Sequence, residues 1–136
     1  MCGSAISETA RIADIHLQQK GGTNLLLLNA LAYTIIDEHL TDDEFIKAHV
    51  NGYEEFVPKL AKYAPEAVAA EIGVSASAIR EAARLYASSK HSVILWGMGI
   101  TQFSQGVDSV AACSNLALLT GNYGHYATGV VRCAVR

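Results

Sequence analysis

The chain has 136 residues, 51% hydrophobic and 17% charged, a balance that suits one folded domain and excludes a disordered segment. Its net charge of −3 provides no basic stripe to neutralise phosphates, so nucleic acid is not an expected partner. The longest apolar stretch, 25–36, is broken by Asn29 and Thr34 and is shorter than the roughly 20 residues a bilayer requires, so no membrane partner is expected.

Residues 1–8 carry no periodic pattern, and Met1-Cys2-Gly3-Ser4 does not open a signal peptide. Ala13-Asp14-Ile15-His16-Leu17 alternates apolar and polar, which predicts a half-buried strand. Gln18 to Gly22 is polar and ends in a glycine turn, after which Thr23 or Asn24 can cap a helix over about 25–39. The first half of that helix is apolar around most of its circumference, so it is expected to lie deep in the core. Thr41-Asp42-Asp43-Glu44 reads as a capping box with Thr41 at the cap, starting a short helix that runs to about His49. Tyr53, Phe56, Val57 and Leu60 share a helical face that Pro58 should kink or restart. Pro65 opens the next helix and Gly73 closes it. Ser75 or Ser77 caps another, with Ile79, Ala82, Ala83 and Tyr86 as its buried stripe and Lys90 and His91 facing the negative pole of its dipole. A buried strand over 92–96, a glycine loop, a helix over 106–119 and a loop-like end over 123–136 complete the chain.

Six helices and two strands are too few strands for a closed sheet, because two buried strands cannot cover both faces and both edges. The expected class is α/β: a helix-rich fragment of a doubly wound, Rossmann-like cofactor domain with few strands, in which 1–136 form a single partial domain.

The stretch 93–102, Val-Ile-Leu-Trp-Gly-Met-Gly-Ile-Thr-Gln, organises this scheme. Strand, glycine loop and helix bring backbone close to phosphate-bearing ligands, and Thr101 and Gln102 stand just past a strand's carboxyl end, where α/β proteins bind them. Gly97-Met98-Gly99 lacks the third glycine of a dinucleotide fingerprint, and a tight strand-to-helix turn is the plainer reading. Thr120-Gly121-Asn122 reads first as a helix C-cap with Gly121 left-handed. Gly21-Gly22-Thr23-Asn24 offers free N–H groups to an anion, with simple capping as the alternative. The five histidines have no metal spacing, Cys113 sits in an apolar helix, and no G-x-S-x-G elbow is present, so neither catalytic nor metal residues are assigned. Cys2, Cys113 and Cys133 are far apart, with no CxxC, and read as reduced thiols in the cytoplasm.

In combination these pieces become specific. Glu8-Thr9-Ala10-Arg11-Ile12-Ala13-Asp14-Ile15-His16-Leu17, Gly22-Thr23-Asn24-Leu25, Tyr53-Glu54-Glu55-Phe56, Ile79-Arg80-Glu81-Ala82-Ala83-Arg84-Leu85-Tyr86-Ala87, Leu95-Trp96-Gly97-Met98-Gly99-Ile100-Thr101-Gln102 and Leu119-Thr120-Gly121-Asn122 follow one another in an order that resembles the molybdopterin oxidoreductase family, nearest the catalytic subunit of formate dehydrogenase. The resemblance implies half of an α/β domain that binds molybdopterin guanine dinucleotide. It implies that Trp96, Gly97, Met98, Gly99, Thr101 and Gln102 face the cofactor, that Thr120, Gly121 and Asn122 stand beside it, and that Thr23 and Asn24 lie near it. The family often has Asp where Asn24 stands, and Pro58 interrupts a helix that the family usually keeps whole.

The family's iron–sulfur cysteines, metal-ligating Sec or Cys and adjacent His have no counterpart among these residues, so the chain by itself is expected to be inactive. Residues 131–136 depart from the family's Pro-x-Arg-Gly-Gln-Asn-Asn run and read as an aberrant tail. Under plausible codon choices, reading Cys2 to Ser7 and Val131 to Arg136 one base out of frame restores family-like sequence, which suggests an open frame bounded by frameshifts. The remainder of the parent enzyme, or self-association through exposed strand edges, is the expected partner. The alternatives are a non-enzymatic folded remnant or self-associating helical module, and a segment of a nitrate-reductase-like enzyme.

Overall fold

The computed structural model describes residues 1–133; residues 134–136 of the tail lie outside the described residues. The described elements are α1 (Glu8–Arg11), α2 (Asn24–Asp37), α3 (Asp43–His49), α4 (Tyr53–Phe56), a 3-10 helix (Val57–Tyr63), α5 (Pro65–Ile72), α6 (Ala76–Ser88), β1 (Val93–Trp96), α7 (Met98–Thr101), α8 (Gly106–Leu119) and β2 (Gly129–Arg132). The fold is α/β and helix-rich, with a single two-stranded parallel sheet among the described residues.

Helix α2 forms the centre. Its Leu and Ala residues favour helix, and Leu27, Ala30, Ala32 and Ile35 are all but inaccessible to solvent. Its one hydroxyl at that depth, Thr34 Oγ1, donates to Ala30 O at 2.9 Å, so burial leaves it satisfied. Around α2 pack α5, α6, α8 and the 3-10 helix. They contribute Ile72, Ile79, Ala83, Leu60, Cys113 and Leu116 to the same core.

The helix boundaries follow local chemistry. Pro58 converts the helical stretch after Tyr53 into the 3-10 turn, as its missing N–H requires. Ser75 caps α6 by accepting from Ala78 N at 3.3 Å. The cap of α3 is Asp42, not Thr41: its Oδ1 accepts from Phe45 N at 2.9 Å, while the Thr41 hydroxyl donates to Asp43. Lys90 and His91 lie beyond the last turn of α6, which ends at Ser88, and so stand off its dipole.

Helices α2 and α8 end in the same way. In α8, Asn122 N donates to Ala117 O and Gly121 N to Leu118 O, with Gly121 left-handed at φ 65°. In α2, Leu40 N donates to Ile35 O and His39 N to Ile36 O. The left-handed position there is His39, at φ 54°, where a side chain makes this conformation costly.

Three expectations about the strands are corrected. Residues 13–17 form no strand; Leu17 makes only an isolated parallel bridge with Cys2, because no neighbouring strand continues the ladder. The second strand is instead β2, in the segment expected to be loop, and it pairs with β1 from Val93↔Gly129 to Trp96↔Arg132. Helix α8 is the crossover between them, as parallel pairing requires. Nor is β1 buried throughout. Ile94 and Val130 face the core, whereas Val93, Leu95 and Val131 are 44%, 66% and 48% exposed, because no layer covers the other face of the sheet.

An ion network fastens the outer helices to the C-terminus of α2. Arg80 reaches Asp37 at 3.1 Å, Glu38 at 3.1 Å and Glu66 at 2.9 Å, while Arg84 also grips Glu38. The hydrogen bond from Arg84, with Arg80 behind it, holds the Glu38 carboxyl below its ordinary value, and Arg80 does the same for Glu66.

Replacing Ile35 by Ala is expected to cost about 2–5 kcal/mol in urea unfolding. The two helix ends predict changes of opposite sign. His39→Gly should raise stability by roughly 0.5–1 kcal/mol, since glycine removes the left-handed strain at some entropic cost. Gly121→Ala should lower it, because a Cβ there would lie 2.5 Å from Asp42 Oδ2 in addition to the strained φ. A depressed Glu38 carboxyl stabilises the fold above its ordinary value of 4.5, and that contribution is lost as pH falls through the lower folded value. The urea midpoint should therefore drop on acidification below about pH 4.5, and Glu38→Gln should lower the midpoint at pH 7 and flatten its acid limb.

Candidate functional site

At the carboxyl end of β1 the chain passes Gly97 and winds into the single turn α7, so the expected open glycine loop is a short helix. Ile100 N donates to Gly97 O and Gln102 N to Met98 O, both at 3.0 Å. Gly106 allows α7 and α8 to meet: a Cβ there would stand 2.5 Å from Thr101 O. Gly99 has open space where a side chain would be, so its backbone is approachable.

The turn before α2 reaches the same place. Gly22 is left-handed at φ 86°, and Thr23 is the N-cap residue, but its hydroxyl donates back to Lys20 O instead of accepting from the helix. The first N–H groups of α2 therefore have no side-chain cap. Asn24 then ties the two glycine segments together. Its Nδ2 donates to Gly99 O at 2.9 Å, and its Oδ1 accepts from Gln19 Nε2 at 2.9 Å.

Between these segments, and running back along β1, lies a cleft of about 760 Å³. Gly22, Asn24, Trp96, Gly97 and Gly99 border its upper end. Met98, Thr101 and Gln102 occupy the adjoining turn outside that lining, and the Gln102 amide donates to Met98 Sδ at 3.4 Å. Among the described residues, three buried side-chain polar atoms complete no hydrogen bond, Gln19 Oε1, Tyr86 OH and Trp96 Nε1, and all three residues line the cleft. Tyr86 sits beside Thr120, and burial chiefly raises its phenol above the ordinary value.

Thr120, Gly121 and Asn122 are not brought to the Gly97 end. Asn122, 2% exposed, accepts from Ser92 N at 2.9 Å through Oδ1 and donates to Thr120 Oγ1 at 2.9 Å. These residues therefore cap α8 and anchor the opposite end of β1.

Gln19 and Phe103 were not singled out in the sequence, yet both line the cleft. The polar run before Gly21-Gly22 was the available signal for Gln19; nothing marked Phe103. No group of three or more His, Cys, Asp or Glu among the described residues could hold a metal. Burial, with Cys2 nearby, pushes the Cys113 thiol up to about 11, which suits a core residue better than a nucleophile. The arrangement can bind and orient a polar ligand through backbone and amide groups, and it presents no acid–base pair.

Formate dehydrogenase H of Escherichia coli (strain K12) is 49% identical over 130 residues, covering 96% of this chain and 18% of that protein. The F420-dependent formate dehydrogenase 1 subunit alpha of Methanococcus maripaludis is 47% identical, covering 90% of this chain and 18% of that protein. A nitrate reductase of Symbiobacterium thermophilum is 45% identical, covering 82% of this chain and 16% of that protein. The solved structure of acetylene hydratase from Pelobacter acetylenicus superposes with a TM-score of 0.89 at 27% identity, covering 93% of this chain and 17% of that one. The chain thus spans less than a fifth of the length of these relatives. The sequence pattern of the molybdopterin oxidoreductases matches residues 2–132, nearly the whole of what is described, and the chain belongs to that family.

Proposed function

We propose that this chain is a molybdopterin-guanine-dinucleotide-binding segment of a formate-dehydrogenase-like oxidoreductase and is inactive by itself. The observation that carries the reading is the Asn24–Gly99 tie, which draws two glycine segments together at the carboxyl end of a parallel strand. That is where α/β folds bind nucleotide ligands. The residues present fit such a group. Gly99 leaves space for close backbone approach, the start of α2 lacks a side-chain cap, and Trp96 Nε1 is a buried donor with no acceptor.

In this reading Gly97 and Gly99 allow the diphosphate or pterin to touch backbone, while Thr23, Asn24, Thr101 and Gln102 orient its polar edges. Met98 covers the ligand's apolar side. Thr120, Gly121 and Asn122 act from the base of the strand by fixing where Trp96 and Gly97 stand. Bound within a complete enzyme, the cofactor would supply a two-electron acceptor for the oxidation of formate, which releases two electrons and one proton as it becomes carbon dioxide. Three free thiols and no helix long and apolar enough to cross a membrane, among the described residues, suit a cytoplasmic setting. A nitrate-reductase-like parent is the second reading, favoured by the 45% identity to the Symbiobacterium thermophilum protein.

Titrating the purified chain with GDP, the nucleotide end of the cofactor, should raise its thermal midpoint, reflecting about 2.7 kcal/mol at a concentration 100 times Kd. Gly99→Val should abolish the shift while leaving the unliganded midpoint within about 0.5 kcal/mol, since the added side chain enters open space. Asn24→Ala should weaken it by releasing Gly99. Absence of any shift at millimolar GDP, together with no pterin or molybdenum in the purified protein, would sink the reading in favour of a folded remnant.

A further inference from the structure

The turn between α3 and α4 carries Asn51-Gly52, the one Asn-Gly pair in the sequence. Both residues are exposed and neither borders the cleft, so their chemistry does not depend on cofactor binding. An asparagine holds its side-chain amide carbon within ring-closing reach of the next main-chain nitrogen. When the next residue is glycine, no side chain shields that nitrogen, and attack between the two neighbours is intramolecular. Hydrogen bonds are what restrain such an attack. Among the described residues, neither the Gly52 N–H nor the Asn51 carboxamide makes one. The other four asparagines are held. Asn24 is tied to Gln19 and Gly99, and Asn122 to Ser92 and Thr120. Asn29 and Asn115 lie inside α2 and α8, where the following N–H belongs to the helix ladder.

We propose that Asn51-Gly52 is a site of spontaneous covalent modification whose only co-reactant is water. The Gly52 nitrogen gives up its proton and attacks Cγ of Asn51. The new C–N bond closes a cyclic imide, the Cγ–Nδ2 bond breaks, and the side-chain nitrogen leaves with the proton as ammonia. Water then opens the imide, and no electrons are transferred. Addition at Cγ restores the ordinary main chain with an aspartyl side chain at position 51. Addition at the main-chain carbonyl of that residue leaves the chain running through Cβ and Cγ, an isoaspartyl link one carbon longer. Either product takes the net charge one unit below −3. The two differ in what they do to the fold. Gly52 is left-handed at φ 77° and starts α4, its carbonyl accepting from Phe56 N at 3.1 Å. An aspartyl chain keeps that geometry. The isoaspartyl link lengthens the connection between Val50 and Gly52, displaces the accepting carbonyl and loosens α4 from the 3-10 helix it packs against.

The test is to hold the purified full chain in mildly alkaline buffer at physiological temperature and to map its tryptic peptides by mass at intervals. The peptide 48–59 should gain the mass that separates a carboxylic acid from an amide at least tenfold faster than the peptides carrying Asn24, Asn29, Asn115 or Asn122. Fragmentation should find isoaspartate as well as aspartate at position 51, because only the imide route produces both. Asn51→Gln, whose longer side chain closes a ring far less readily, should leave that peptide unchanged. The isoaspartyl chain, separated by chromatography from the aspartyl chain, should exchange its Phe56 amide at least tenfold faster. Conversion at Asn51 no faster than at the other asparagines overturns the proposal, as does conversion to aspartate alone or equal conversion in Asn51→Gln. Equal Phe56 exchange in the two product chains overturns the loosening of α4.

Discussion

Burial of α2 is the constraint on which the rest of the structure depends. A helix with leucine or alanine on nearly every side has no solvent face, and the only stable place for it is between other helices. Helices α5, α6 and α8 and the 3-10 turn each cover one flank. The Arg80 and Arg84 network then holds the far end of α2, where Asp37 and Glu38 return the chain to water. Its near end becomes fixed as a result, and that end carries Asn24. The position of a candidate ligand-binding residue is thus set by a hydrophobic requirement many residues away from it.

The sheet is under-built by comparison. Helix α8 covers one face and joins its two strands, but the other face and one edge of β1 are bare. Five exposed apolar residues, Val93, Leu95, Met98, Phe103 and Val131, lie on or next to the sheet and its loops. The helical side has the packed core and the ion pairs of a closed domain. The sheet side resembles the inside of a larger one.

Most helices were legible in the sequence because their signals are local. Pro58, Pro65, Gly73 and Ser75 act on the backbone within one turn, and the structure has a boundary at each. The strands were not equally legible. Residues 13–17 alternate as a strand should, but alternation does not provide a neighbour, and only Leu17 finds one. Gly129-Val130-Val131-Arg132 is short and follows a glycine-rich loop; it becomes a strand because α8 delivers it to β1, a tertiary fact that no window of sequence contains. The candidate site divides in the same way. Glycine segments announced Gly97–Gly99 and Gly22–Asn24 separately, but the hydrogen bond between them joins residues 75 apart. Thr120-Gly121-Asn122 was legible as a C-cap, and its contact with Ser92 was not.

That contact has a consequence for fidelity of assembly. A parallel ladder of four residue pairs is short, and a slip of one residue would turn Leu95 inward and Ile94 outward. Because Val93, Ile94 and Leu95 are all apolar, so that both faces of β1 carry apolar side chains, hydrophobic pattern alone penalises such a slip weakly. Asn122 sits at the end of α8 in a cap that forms locally, and its carboxamide accepts from the single N–H that precedes β1. It therefore works as a register pin. The alignment of strand against strand is decided at the base of the sheet, and the reach of Trp96 and Gly97 at the top is inherited from it.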